Sequence, residues 1–306
     1  MDRAGGVLLV DKPVGLTSFG VVERIRRWSG IRRVGHTGTL DPFATGLLVL
    51  CLGMATRLVS YITAWDKEYE GSIRLGEETD TDDATGRVTV RKEPGNLDAQ
   101  ELEEALKAFR GEIQQLPPRF SAKKLSGVPS YKRARRGEEV ELRPIGVQVH
   151  ELEITGIEMP LVHFRARCSK GTYMRSLARD LGRALGCGGH LASLRRVAIG
   201  HIKVQEALGW EEVRSLRGEA FLARLWPMER VLSGWNKLVV APELARRVRH
   251  GQDLPLESLG GSIQDLSRPG ERVVLVDELG ELLGVGVVMG EGPNMRIHPE
   301  QVWSGG

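Results

Sequence analysis

The first chemical signal in this 306-residue sequence is a single carboxylate set among glycines. The run Gly35-His36-Thr37-Gly38-Thr39-Leu40-Asp41-Pro42 continues through Phe43-Ala44-Thr45-Gly46 into the apolar stretch Leu47–Cys51. Glycines let a backbone turn tightly or approach a ligand closely. Asp41 is therefore expected on a held-out loop, beside the imidazole of His36. Such a carboxylate can serve as a nucleophile or stabilise positive charge on a substrate. Asp-Pro is also a common turn starter, so the choice rests on the remainder of the chain.

Several stock chemistries are excluded. There is no GxxxxGK[ST] loop and no strand–GxGxxG–helix unit. Cys187 and His190 have the spacing of a half zinc site but no second pair. Asp80–Gly86 resembles a calcium loop, yet Ala84 fills a ligand position and Arg91 stands where a bidentate Glu belongs. No metal and no cofactor are expected, which leaves chemistry that side chains run alone. Cys51, Cys168 and Cys187 form no CxxC pair, and an odd count argues against a disulfide framework. No apolar run approaches the roughly 20 residues of a membrane span, and the N-terminus lacks signal-peptide organisation. A cytoplasmic protein with reduced thiols is expected.

The net charge of +3 conceals a strong segregation. Residues 61–105 carry 5 Lys/Arg against 13 Asp/Glu, residues 107–136 carry 9 against one, and residues 161–200 carry 8 against Asp180 alone. Two separate cationic segments set apart from an acidic one suit a groove that tracks phosphates. Arginine outnumbers lysine 33 to 10, which fits planar recognition of phosphate.

The elements that must position Asp41 read as α+β. Strands are expected at Gly6–Val10, Leu47–Cys51, Tyr69–Leu75, Arg87–Arg91, Val147–Ile157 and Leu161–Cys168, the last with Val162, Phe164, Ala166 and Cys168 on one face. Helices are expected at Ser18–Ser29, after the Asp98/Glu101 capping box with an end at Gly111, and at about Thr172–Leu185 with Gly186 as its stop. Residues 116–144 show little periodicity and dense positive charge, the pattern of a long functional insertion. A boundary is expected near Ser233-Gly234. Beyond it, Leu238–Val240, Arg272–Val276 and Leu282–Val288 read as a small β module.

Together these segments resemble the TruB family of bacterial tRNA pseudouridine-55 synthases. The resemblance runs through Gly6–Ser18, the Asp41 loop, Asp66-Lys67-Glu68-Tyr69, Leu75-Gly76, Thr79–Asp83, Phe120–Lys124, Cys168–Arg175 and Leu194-Arg195-Arg196. It implies a pseudouridine-synthase catalytic domain over 1–234, with a mixed, largely antiparallel central sheet flanked by helices and loops. Residues 116–144 would be an RNA-clamping arm, and 235–306 a PUA-like C-terminal β-barrel domain. That module carries 7 Lys/Arg against 10 Asp/Glu, which departs from an RNA-contacting surface unless Arg246, Arg247 and Arg249 cluster.

The implied reaction converts uridine to pseudouridine at position 55 of the TΨC loop of tRNA, without cofactor, membrane or obligate protein partner, in a monomer. By the resemblance, Asp41 is the nucleophile and Arg175 the guanidinium that fixes it and lowers its pKa. Tyr69 stacks on the flipped base and offers its hydroxyl for proton transfer, Tyr173 hydrogen-bonds in the same pocket, and Leu194 supplies an apolar wall. His36 takes the space the extruded nucleotide leaves. Lys12 reads as scaffold beneath the loop or an RNA contact. Lys123, Lys124, Lys132, Arg133, Arg135 and Arg136 would hold phosphates. The alternatives are a guide-RNA-dependent, dyskerin-like synthase and a non-catalytic tRNA-binding or chaperone protein.

Overall fold

Apolar runs dictate which strands lie innermost. Leu47–Cys51 has no polar face, and it becomes part of a strand whose residues from Leu47 to Leu52 are all fully buried. The computed structural model describes residues 5–119, 124–125, 128–129, 142–256 and 268–303. Its strands to residue 209 are β1 (Gly6–Lys12), β2 (Val34–His36), β3 (Thr45–Leu52), β4 (Lys67–Leu75), β5 (Glu77–Thr79), β6 (Val88–Arg91), β7 (Gly111–Gln115), β8 (Lys124–Leu125), β9 (Val128–Pro129), β10 (Ile145–Glu158), β11 (Leu161–Cys168), β12 (Gly189–Ile199), β13 (Ile202–Lys203) and β14 (Leu208–Gly209). Ten of them form one sheet in the order β14-β1-β3-β12-β4-β11-β10-β7, with β2 on β3 and β13 on β12. The pairs β1/β14 and β3/β12 are parallel and the rest antiparallel. The expected α+β class and mixed sheet hold.

β12 is the strand the sequence hides. Two register irregularities, between Leu191 and Ser193 and between Arg196 and Ala198, break its alternation. It is also largely buried on both faces, so neither strand period nor helix period marks it. Yet it joins β3 to β4 at the centre of the sheet.

The helices follow their caps. α1 (Ser18–Ser29) starts where the Thr17 side chain accepts from the Gly20 N–H and stops at Gly30, at φ +70°. After α2 (Val59–Ala64), α3 (Ala99–Lys107) carries the expected Asp98/Glu101 capping box, and ends four residues short of Gly111. α4 (Met174–Ala184) buries Leu177, Ala178 and Leu181 against the sheet, beside the alternating face Val162, Phe164, Ala166 and Cys168 of β11. Among the described residues, no helix is long and apolar enough to cross a membrane.

Residues 236–302 build a second sheet. It comprises β15 (Asn236–Val240), β16 (Leu254–Pro255), β17 (Arg272–Asp277), β18 (Leu282–Met289) and β19 (Arg296–Val302), ordered β15-β17-β18-β19-β16. It curls into a half-barrel of PUA-like form. One apolar cluster unites Val274, Val276, Val285 and Trp303 with Cys51, Ala55, Leu58 and Ile62. The Trp303 indole also donates to the Met54 carbonyl at 3.5 Å. The small sheet is thus packed onto the large one rather than tethered to it.

Candidate active site

The loop between β2 and β3 presents Asp41, and three neighbours pin its flanks. The Ser18 hydroxyl accepts from the Leu40 N–H at 2.8 Å, and the Gly15 N–H donates to the Pro42 carbonyl at 2.7 Å. Lys12 donates to the carbonyls of Pro13, Leu16 and, at 3.5 Å, Pro42. Its side chain is 0 % exposed. Lys12 therefore takes only the scaffold half of its expectation, because a wholly buried ammonium bonded to three carbonyls cannot reach RNA. Burial brings its pKa down to about 8, against the pull of Asp41.

Arg175, in the first turn of α4, grips Asp41 with a fork: Nε lies 2.9 Å from Oδ2 and Nη2 3.2 Å from Oδ1. Bidentate pairing of this kind fixes direction as well as distance. The third arm of the guanidinium reaches the Thr81 carbonyl at 3.2 Å and Asp83 at 3.5 Å. Asp83, 4 % exposed, is held by the Thr81 hydroxyl and by the Thr85 N–H and hydroxyl. The acidic turn dismissed as a calcium loop is thus an anchor for the Arg175 guanidinium. That function has no local sequence mark, because the partner is 92 positions away.

Burial outweighs the downward pull on the Asp41 pKa that was expected of Arg175 and that Arg175 does exert. A third of the Asp41 side chain remains open to the cavity. Burial of the rest raises its pKa above the ordinary carboxylate value, Asp83 adds to the rise, and Arg175 and Lys12 offset only part of it.

Asp41 faces a cavity of about 230 Å³, whose lining includes Tyr69, Tyr173, Arg175 and Leu194. Tyr69 stands half-buried on β4, and Leu194, 9 % exposed, on β12. The backbone of Tyr173 exchanges hydrogen bonds with the buried amide of Gln115 (2.9 and 3.3 Å), which orients the start of α4. His36 sits at the start of the loop, where its Nδ1 accepts from the Gly38 N–H at 3.3 Å. It does not line the cavity. Burial, then Arg196, lowers its pKa, so the ring stays neutral. Lys123, Lys132, Arg133, Arg135 and Arg136 lie outside the described residues, as does the side chain of Lys124.

Arg196 lies in the Leu194-Arg195-Arg196 tripeptide, whose local pattern gives no sign of its role. Register puts it directly between Gly46 on β3 and Tyr69 on β4. Its guanidinium donates to the carbonyls of Leu47 (2.8 Å) and Gly38 (3.0 Å) and acts electrostatically on the neighbouring Tyr69 phenol. One 1 %-exposed side chain thereby ties the Asp41 loop to the Tyr69 strand. Gly46, at φ +99°, is required opposite it, since a Cβ there would collide with the Arg196 backbone. Burial raises the Tyr69 pKa, while Arg196 opposes the rise.

Comparison with solved structures defines the class first: the fold is that of the pseudouridine synthases. The structure of an H/ACA RNP bound to a substrate RNA containing 2'-deoxyuridine superposes with a TM-score of 0.74 at 25% identity, covering 99% of this chain and 86% of that one. A Cbf5-Nop10-Gar1 complex gives 0.73 at the same identity and coverage. The chain itself belongs to the TruB family of pseudouridylate synthases. The family's N-terminal domain model matches residues 26–174, and the C-terminal domain model of tRNA pseudouridylate synthase B matches residues 175–233. A protein of Solibacter usitatus named tRNA pseudouridine synthase B is 42% identical, over 97% of this chain and 99% of its own length. One of the same name from Opitutus terrae is 47% identical, over 73% of this chain and 92% of its own.

Proposed function

We propose that this chain is the stand-alone enzyme that isomerises uridine 55 in the T arm of tRNA to pseudouridine. The observation that carries this reading is the forked Asp41–Arg175 pair facing Tyr69 across a cavity, in a chain of this family. The cavity suits one pyrimidine nucleoside taken out of its stack. Asp41 meets the ribose side of the reacting nucleoside as nucleophile, with Arg175 setting its direction. Tyr69 offers its ring to the flipped base. Its phenol, neutral at ordinary pH and set beside Arg196, is the group within reach for proton transfer at the uracil carbon. Tyr173 and Leu194 complete the polar and apolar walls. His36 enters the space that the nucleotide leaves in the RNA.

We divide the chain at residue 234 into the catalytic domain and the PUA-like module. The arm over 116–144 carries the phosphate contacts of Lys123, Lys124 and Arg133. Its root supports that reading: the Leu116 carbonyl accepts from Ser176 at 2.7 Å and from Arg179 at 3.0 Å, beside Arg175. The protein acts as a cytoplasmic monomer, in keeping with three buried free cysteines, of which burial pushes Cys51 up to about 12 and Cys168 to about 11.

The superposition on H/ACA particles favours one second reading, a guide-RNA-dependent synthase. A bare T stem-loop transcript, with no guide and no added protein, separates the two. The stand-alone reading expects one pseudouridine per molecule, at the position equivalent to 55, with binding that weakens as salt rises. No product without a guide would favour the second reading.

A further inference from the structure

Lys67 lines the same cavity, two residues before Tyr69 on β4, and is 6 % exposed. Its ammonium donates to the Thr63 and Trp65 carbonyls, both at 2.6 Å. The third N–H has no partner among the described residues. Asp66, the acid adjacent in sequence, turns instead to His150 and Arg167, at 3.0 and 3.6 Å. The other charged or titratable groups acting on Lys67 are Arg196 and Lys170, which oppose its charge, and the Cys168 thiol. A buried cation held only by neutral carbonyls is unfavourable unless an anionic group joins it. Arg196 supplies a second buried cation at the same wall.

We propose that Lys67, supported by Arg196, binds the uracil oxygens and stabilises the negative charge the base acquires when its bond to the ribose breaks. Burial distinguishes this lysine from a phosphate contact. Lys170 is exposed at the cavity, where the backbone of an inserted nucleotide stays. Lys67 lies on the inner wall, which the base reaches. When C1'–N1 breaks, its electron pair passes to the uracil and spreads over N1, O2 and O4, and the Asp41 carboxylate offsets the positive charge at C1'. When C5 bonds to C1', the base returns an electron pair. The proton lost from C5 is balanced by one gained at N1, so no co-reactant is consumed. A fixed cation in a desolvated site acts on charge that develops only during reaction.

This inference rests on the pseudouridine-synthase reading, and the test keeps the two apart. Lys67→Gln retains donors for both carbonyls and removes the charge. Single-turnover conversion of the T stem-loop is expected to slow about 100-fold, with RNA affinity within about three-fold and an unchanged salt slope. Breakage of the glycosidic bond at a 5-fluorouridine target should suffer less in the variant, because the fluorine itself stabilises the anion. An unimpaired rate would make Lys67 merely structural. Weaker binding with a flatter salt slope, at full rate, would make it a phosphate ligand. Either overturns the inference, whereas a wild-type protein without product overturns the parent reading. Should the variant fold poorly by circular dichroism, the wild-type pH profile decides. The cationic form is the active one and burial brings Lys67 to about 8, so the rate must fall as pH rises through that value. A level rate well beyond it contradicts the proposal.

Discussion

Replacing Asp41 with Asn will leave a folded, RNA-binding protein that makes no pseudouridine. Asn keeps the shape and one acceptor for Arg175 but cannot attack carbon or balance positive charge on the ribose. A loss of about 10,000-fold or more corresponds to roughly 5.5 kcal/mol of transition-state stabilisation. RNA affinity should stay within about three-fold, under 1 kcal/mol, since most phosphate contacts lie elsewhere. Stability should not suffer. A carboxylate whose folded pKa is raised weakens the fold once pH exceeds its unfolded value, and Asp41 is such a group. The Asn variant is therefore expected to melt no lower than wild type at neutral pH. Chemical mapping of pseudouridine, filter binding and thermal denaturation read the three outcomes. Full turnover in the variant removes the nucleophile from the mechanism.

Arg175→Met should be damaging in a different way. Arg175 is 6 % exposed and bridges Asp41 to Asp83, so its removal leaves two carboxylates buried together without their cation. Breaking a buried pair from one side costs about 3–5 kcal/mol, and turnover at neutral pH should fall about 100-fold. The direction with pH is fixed by the forces on Asp41. Arg175 lowers its pKa and Asp83 raises it, so deleting Arg175 moves the pKa further up. The acid limb of the rate profile then shifts to higher pH. The stability deficit is largest where the carboxyl is ionised and shrinks as pH falls through the new pKa. Arg175→Lys keeps a charge but loses the fork, and should fall between wild type and Met. Single-turnover rates against pH, with urea unfolding at two pH values, test this. An unmoved acid limb would show that Arg175 does not govern the Asp41 charge.

The chain displays its candidate nucleophile more openly than the apparatus around it. Asp41 is legible because glycines announce the loop, and Arg175 and Tyr69 because they sit in short motifs. α3 and β11 follow from a capping box and from clean alternation. Asp83 and Arg196 are not legible from local pattern, since each acts on a residue distant in sequence and sits in a segment without period. β12 shows why: two irregularities in register cancel its alternation, and the same strand brings Leu194 and Arg196 to the cavity. Lys12 is the intermediate case: its motif leaves it as scaffold or RNA contact, and its burial against three carbonyls favours the scaffold. In the small module, Arg247 donates to the Asp253 carbonyl and Arg249 faces Asp277, so the arginines of the helix Pro242–Arg249 are partly engaged within the module.

The central claim concerns one distance, between the Asp41 carboxyl and the ribose carbon of the uridine that enters the cavity. A crystal structure of the Asp41→Asn variant with unmodified T stem-loop RNA measures it without turnover. The account predicts a base stacked on Tyr69, with the side chain at position 41 within about 3.5 Å of C1', the near-attack range. A uridine left in its stack, or a residue 41 turned away from the ribose, would contradict it.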